Sequence, residues 1–178
     1  MEIRAKCKCD YDSVKALARL AMFRKADPKK RLKFYTIIYA ILFVVIILEI
    51  IAFDVADTIL FVLLGVEITV LLFLWFGYFI VPKMRFKSMA KMKNTENQYI
   101  FCDNVLKVFT KSQDYNGEAE IEYSFFVRVY ETTKYLFIFQ TCNQVLVVDK
   151  STIEEGTAED IRNKLSSYVK DKYIICKY

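Results

Sequence analysis

Two long apolar runs separated by a short polar turn dominate the pattern of hydrophobic and polar positions along the chain. Phe34 to Phe53 carries a single charge, Glu49, and Thr58 to Val81 carries a single charge, Glu67, before Pro82. Twenty helical residues at about 1.5 Å of rise each cover roughly 30 Å, the hydrocarbon thickness of a bilayer. The pattern therefore predicts a transmembrane hairpin over residues 34–82, with spans at 34–53 and 58–81. The linker from Asp54 to Asp57 is so short that the two helices must be antiparallel neighbours, with no room for a domain on the far side. The first apolar run begins only at Phe34, so no cleavable leader is expected.

Different periods rule the flanks. Ile3, Ala5, Cys7 and Cys9 alternate with Glu2, Arg4, Lys6 and Lys8, as in a half-buried strand. Asp10 to Ser13 supplies capping residues for a basic amphipathic helix that ends before Pro28, with Val14, Leu17, Ala18 and Ala21 on its apolar face. That helix could rest on lipid headgroups or on the distal domain, and its spacing does not choose. Beyond Asn94 six strands are expected: Tyr99 to Cys102, Val105 to Lys111, Glu118 to Ser124, Phe125 to Glu131, Tyr135 to Gln140 and Gln144 to Asp149. Asp103-Asn104, Asn116-Gly117, Thr132-Thr133 and Cys142-Asn143 are the punctuation of a meandering antiparallel sheet. A helix opening at Thr157 would place Ile161, Leu165, Tyr168 and Val169 on one face, and Tyr173 to Tyr178 would add an edge strand. The chain thus divides into an N-terminal strand and helix (1–33), the hairpin (34–82) and a sheet-plus-helix domain (83–178), an α+β membrane protein.

Charge orients the hairpin. Residues 1–33 hold eleven Lys and Arg against four Asp and Glu, residues 83–93 hold five against none, and the turn carries only Asp54 and Asp57. By the positive-inside rule both termini face the cytoplasm of a multi-pass plasma-membrane protein. Lys29, Lys30, Arg31 and Lys33 on one side, with Lys83, Arg85, Lys87, Lys91 and Lys93 on the other, are expected to contact anionic headgroups, at about 1 kcal/mol for each well-placed cation. From residue 94 onward ten basic side chains face thirteen acidic ones, which argues against a nucleic-acid partner.

The two intramembrane carboxylates differ in depth by roughly 7 Å at the helical rise, too far apart to pair. Glu49 is near enough to the turn to reach interfacial water. Glu67 is deeper, and the first span at its level, around Val44 and Val45, offers no partner. Three readings stay open: a protonated carboxyl bonded to backbone or water, a contact between copies of the chain, or an ion or proton path.

The remaining chemistry is sparse. There is no histidine, which removes His-based triads, His general bases and His-rich zinc sites. Gly65, Gly77, Gly117 and Gly156 form no phosphate loop, and no nucleophile has a visible base partner, so no enzyme and no cofactor is expected. Cys7, Cys9, Cys102, Cys142 and Cys176 lie outside the spans and are expected to be reduced and mostly buried, the Cys7/Cys9 pair packing in a core in preference to binding a soft metal. Glu118, Glu120 and Glu122 read as a solvated strand face, and Tyr123, Phe125, Phe126, Tyr130, Tyr135, Phe137 and Phe139 as core aromatics.

Three stretches carry a family resemblance: Tyr123-Ser-Phe-Phe-Val-Arg-Val-Tyr-Glu131, Tyr135-Leu-Phe-Ile-Phe139 and Asn143-Gln-Val-Leu-Val-Val-Asp-Lys-Ser-Thr-Ile153. Together they resemble the C-terminal domain of the YcxB-like family of bacterial membrane proteins, and the order of strand, helix, hairpin, sheet and helix resembles it as well. Family members commonly carry Pro-Lys where this chain has Asp149-Lys150. The resemblance implies a bacterial plasma membrane, a cytosolic domain similar to pleckstrin-homology-like ones, no catalytic activity and no functional residues to carry across. The resulting expectation is a membrane-anchored scaffold or regulatory module that binds the bilayer and a membrane or cytosolic protein, a second copy of itself included. The alternative is a small oligomeric transporter or channel component that uses Glu67.

Overall fold

A computed structural model describes residues 2–23, 27–53, 58–89, 95–112, 115–142 and 144–176 of the chain. β1 (Ile3–Lys8) leads into α1 (Tyr11–Phe23), α2 (Pro28–Phe53), α3 (Thr58–Phe79) and α4 (Val81–Ser88). β2 (Glu96–Phe101), β3 (Val105–Lys111), β4 (Asn116–Glu122), β5 (Arg128–Glu131), β6 (Tyr135–Phe139) and β7 (Val145–Asp149) follow, then α5 (Ala158–Val169) and β8 (Tyr173–Ile175). The architecture is α+β: two long apolar helices and two four-stranded sheets.

α2 begins on Pro28, whose missing N–H costs nothing in a first turn. Asp27 caps it, accepting the backbone N–H groups of Lys29 at 2.9 Å and Lys30 at 3.4 Å. α2 and α3 are both long and apolar enough to cross a membrane, over Pro28–Ile51 and Thr58–Phe79. The second run stops at Phe79, two residues before the expected Val81. Ile80 still donates to Phe76 at 2.8 Å and Met84 to Ile80 at 3.0 Å, but Pro82 has no N–H for the carbonyl of Tyr78, and the chain restarts as the short basic α4.

The single meander expected beyond Asn94 is two sheets. The first has the order β1-β2-β3-β4 and the second β7-β6-β5-β8. β1 pairs antiparallel with β2 although α1 to α4 lie between them, with Ile3 opposite Phe101 and Lys8 opposite Glu96. Between β4 and β5 the chain makes a 3₁₀ turn, Tyr123–Phe125, where a continuing strand was expected. Tyr123 and Phe126 both turn inward there, and the Tyr123 hydroxyl donates to the Cys102 carbonyl at 2.7 Å, so burying two aromatics at one corner breaks the ladder. Asn116 and Gly117, expected as a turn, belong to β4 opposite Lys111 and Thr110, and the hairpin closes where the Ser112 N–H donates to the Tyr115 carbonyl. β8 is an edge strand, but it pairs parallel with β5, Val129 opposite Tyr173.

The inner faces of the two sheets enclose Tyr99, Phe101, Leu106, Val129, Ile138 and Val148, and α5 adds Ile161, Leu165 and Val169. Tyr168 does not share that face: it is exposed, with its ring against Tyr123 at 5.2 Å and its hydroxyl donating to Asn104. Phe125 is likewise surface, not core, at 66% exposure. The outer face of the second sheet is covered by α1, where Leu20 meets Tyr130, Tyr135 and Phe137. Because α1 is sandwiched between this sheet and the long helices, its buried arc is wider than the spacing suggested; Leu20 and Phe23 are buried and Ala21 is exposed.

The free edge of β1 is held by the chain after β7. The Glu154 N–H donates to the Arg4 carbonyl at 2.8 Å and the Lys6 N–H to the Thr152 hydroxyl at 2.9 Å. Gly156 adopts φ +86° beside Ile3, and a Cβ there would lie 3.0 Å from Ile3 Cγ1, so both backbone conformation and space call for glycine. Ile3 is fully buried. Ile3→Ala is expected to destabilise the two-sheet domain by about 2–4 kcal/mol, measured by denaturant unfolding of the detergent-solubilised chain; an unchanged midpoint would contradict the docking of β1.

Candidate functional site

The functional groups gather where α1 meets the base of the long helices. Asp10 starts α1 by accepting the Ser13 N–H at 2.8 Å, while the Ser13 hydroxyl returns a bond to the Asp10 carbonyl at 3.0 Å. One end of α1 then reaches α4, with Tyr11 edge-on to Phe86 at 5.8 Å, and the other reaches both long helices, with Phe23 packed among Leu32 and Tyr78. The Arg19 guanidinium lies 4.0 Å over the Tyr78 ring, a cation–π contact, and its Nε is buried with no hydrogen-bond acceptor among the described residues. Beside Arg19 a cleft of about 340 Å³ opens between α1, the first turn of α2 and the β5–β6 turn, lined by Arg19, Asp27, Lys29, Thr132, Lys134 and Tyr135.

The expected headgroup contacts fall into two groups. Lys29, Lys30, Arg31 and Lys33 project from the first turns of α2, and Lys83, Arg85 and Lys87 from α4; all seven are exposed. Lys91 and Lys93 lie outside the described residues. α1 packs on both α2 and α4 and so unites the two groups at one end of the hairpin. Arg19 and Lys134 escaped notice in the sequence because one is an ordinary polar position of an amphipathic helix and the other belongs to a turn.

Glu49 is exposed on α2. Glu67 is only 6% exposed, and both of its carboxylate oxygens are buried without a hydrogen-bond partner among the described residues. Glu118, Glu120 and Glu122 are exposed, as a solvated face requires. Among the described residues no group of three His, Cys, Asp or Glu could hold a metal ion. Cys7 and Cys176 are buried, Cys9 and Cys102 half-buried and Cys142 exposed. Burial, with Asp149 and Asp10 nearby, pushes the Cys7 thiol up to about 12, so it stays protonated and inert at neutral pH.

The second polar cluster is centred on Glu131 at the end of β5, a residue the sequence marked only as a strand terminus. Its side chain is 3% exposed. Arg162 of α5 donates through Nε at 2.8 Å and through a terminal nitrogen at 2.8 Å, Lys150 Nζ donates at 2.9 Å, and the Tyr173 hydroxyl donates at 2.7 Å. One carboxylate thus ties β5 to the turn after β7, to α5 and to β8. Burial alone would raise its pKa, but the bonds from Arg162, Lys150 and Tyr173 outweigh it and hold the carboxyl down at about 2.

The family model described as YcxB-like protein matches residues 109–165. Over that segment, about a third of the chain, the sequence is similar to the YcxB-like family. The matched segment contains all three stretches that carried the resemblance, from Tyr123 to Ile153, and it runs from β3 into α5. Glu131, Lys150 and Arg162 fall inside it, whereas Tyr173, the cleft residues Arg19 and Lys29, and both long helices fall outside. No curated protein and no solved structure matches the chain.

The folded Glu131 carboxyl titrates below its ordinary value of 4.5, so its contribution is fully present above that pH and is lost as pH falls through about 2. Glu131→Gln is expected to remove roughly 3 kcal/mol at neutral pH and to flatten the dependence of stability on pH below 4.5, as read from unfolding midpoints across a pH series. A variant that matches wild type at neutral pH would contradict this role.

Proposed function

We propose that the chain is a membrane-anchored, non-catalytic binding module. The hairpin of α2 and α3 spans a bacterial plasma membrane with both termini in the cytoplasm, and the two-sheet domain presents a surface to a protein partner. The register between β1 and β2 carries this reading. A hairpin that leaves the end of one strand and returns to its neighbour must start and finish on the same side of any bilayer it crosses, and the lysine-rich ends of α2 and the adjoining α4 lie on that side. The helices themselves support the reading, because they shield almost none of their apolar surface within the protein: Ile51 and Phe73 are each 72% exposed. In water so much contiguous apolar surface would be unfavourable; in lipid it is the stable arrangement.

The pleckstrin-homology-like reading of the domain draws on its two packed sheets and following helix. The reading of a protein partner draws on the apolar side chains left on its surface, Tyr115, Phe125 and Val127, and on the edge of the first sheet that β4 leaves unpaired among the described residues. The alternative, a small oligomeric transport or channel component, draws on Glu67 alone, a buried unpaired carboxylate that is costly within a membrane.

Three outcomes are expected. Exposed Cys142 resists a membrane-impermeant maleimide in intact cells and reacts once the membrane is opened. A photo-reactive residue in place of Phe125 yields one discrete adduct in native membranes, with a protein or a second copy, that is not seen from exposed Asn163 on α5. The reconstituted chain passes no tracer ion. Labelling of Cys142 in intact cells would overturn the topology, no adduct would overturn the binding role, and flux abolished by Glu67→Gln would establish the alternative.

A further inference from the structure

We infer that the cleft between α1, the first turn of α2 and the β5–β6 turn is a specific site for the phosphate of one anionic phospholipid headgroup. It rests on the membrane reading above and goes beyond the diffuse contact of the flanking lysines. Three cations far apart in sequence, Arg19, Lys29 and Lys134, line one cleft against a single carboxylate, Asp27. That carboxylate is committed to capping α2, where it accepts the N–H groups of Lys29 and Lys30. Lys134 is held at the rim, 5.0 Å over the Tyr135 ring and 3.9 Å from Asp149.

Arg19 is the specific element. Its guanidinium carbon lies 4.0 Å from the centre of the Tyr78 ring at the wall of the cleft, and among the described residues it has no carboxylate partner. A guanidinium held in this way beside the cleft, with no carboxylate to compete, suits a phosphate oxygen pair.

Position selects lipid over a free anion. Lys29 precedes Phe34, the start of the apolar run, by about one and a half helical turns, roughly 7 Å along the axis. Tyr78, under Arg19, is the penultimate residue of α3. Both therefore mark the level at which the apolar surface of the hairpin ends, which is where headgroups lie in the membrane reading. Ala16, Pro28 and Tyr135 give the cleft apolar walls, suited to the glycerol portion of a headgroup. Its volume of about 340 Å³ admits a headgroup and leaves the acyl chains to run along α2 and α3.

The test uses the full chain in nanodiscs of phosphatidylcholine containing a minor share of phosphatidylglycerol, with retained lipid counted by native mass spectrometry after mild delipidation. Wild type is expected to keep one phosphatidylglycerol. Arg19→Gln with Lys134→Gln should lose it by about tenfold or more in affinity, and Lys29→Gln, at an exposed position that leaves folding alone, should weaken it in the same direction. Lys107→Gln with Lys111→Gln, an equal charge change on β3, should leave it unchanged. Equal retention by the Arg19 and Lys134 pair, equal loss from the β3 pair, or displacement by millimolar inorganic phosphate would overturn the proposal. A chain that inserts but keeps no phosphatidylglycerol overturns this inference alone. One that stays out of nanodiscs overturns the membrane reading with it.

Discussion

The antiparallel pairing of β1 with β2 is the constraint on which the rest of the structure depends. Six residues at the start of the chain supply the edge of a sheet whose other strands all follow the hairpin, and they add Ile3, Ala5 and Cys7 to its core. The two long helices are therefore an excursion from a sheet, not a leader in front of a domain. That geometry couples the long helices to the sheets without a free linker between β1 and the first helix: α1 starts three residues after β1 ends and lies across the outer face of the second sheet. Strand pairing, helix packing and the basic ends of α2 and α4 consequently meet in one place, at the base of the hairpin.

Two polar devices keep this assembly together. Arg19 on Tyr78 joins α1 to the end of α3. Glu131, next to the β5–β6 turn, gathers Arg162, Lys150 and Tyr173 and so fixes α5 and the parallel strand β8 to β5. A buried carboxylate with every oxygen engaged by charged or hydroxyl donors loses far less to desolvation than one left alone. Glu67 is the contrasting case. It is nearly as enclosed as Glu131 yet has no donor among the described residues, which is why its location itself poses a functional question.

Much of this was legible in the sequence where a single period governs a segment. The apolar runs, the alternation of Ile3 to Lys8, β3 at Val105 to Lys111 and the start of α5 at Thr157 all follow from local pattern and capping; Thr157 and Asp160 exchange bonds in a capping box. What local pattern could not reveal is partnership across distance. Nothing in residues 3–8 says that their neighbour is 96–101, and nothing in the aromatic run from Tyr123 says that it bends into a second sheet. Asn116-Gly117 carries a strong turn signal, yet the pair sits within a strand because β3 continues to Lys111 and demands partners that far. The cleft was hidden for the same reason: Arg19, Lys29 and Lys134 become neighbours only when α1 is laid between the sheet and the hairpin.

The most direct test of the central claim is a disulfide across the β1–β2 pair. Lys8 lies opposite Glu96, both side chains exposed, and directly opposed strand residues sit about 4.5–5.5 Å apart, within the span of a disulfide. In a Lys8→Cys, Glu96→Cys variant, oxidation of inside-out membrane vesicles with an impermeant oxidant should link the two introduced thiols, in protein that sediments with the membrane. Linkage is read by peptide mass mapping. Vesicle-bound protein with both thiols free, or linked chain found only in the supernatant, would contradict a sheet closed across a membrane hairpin.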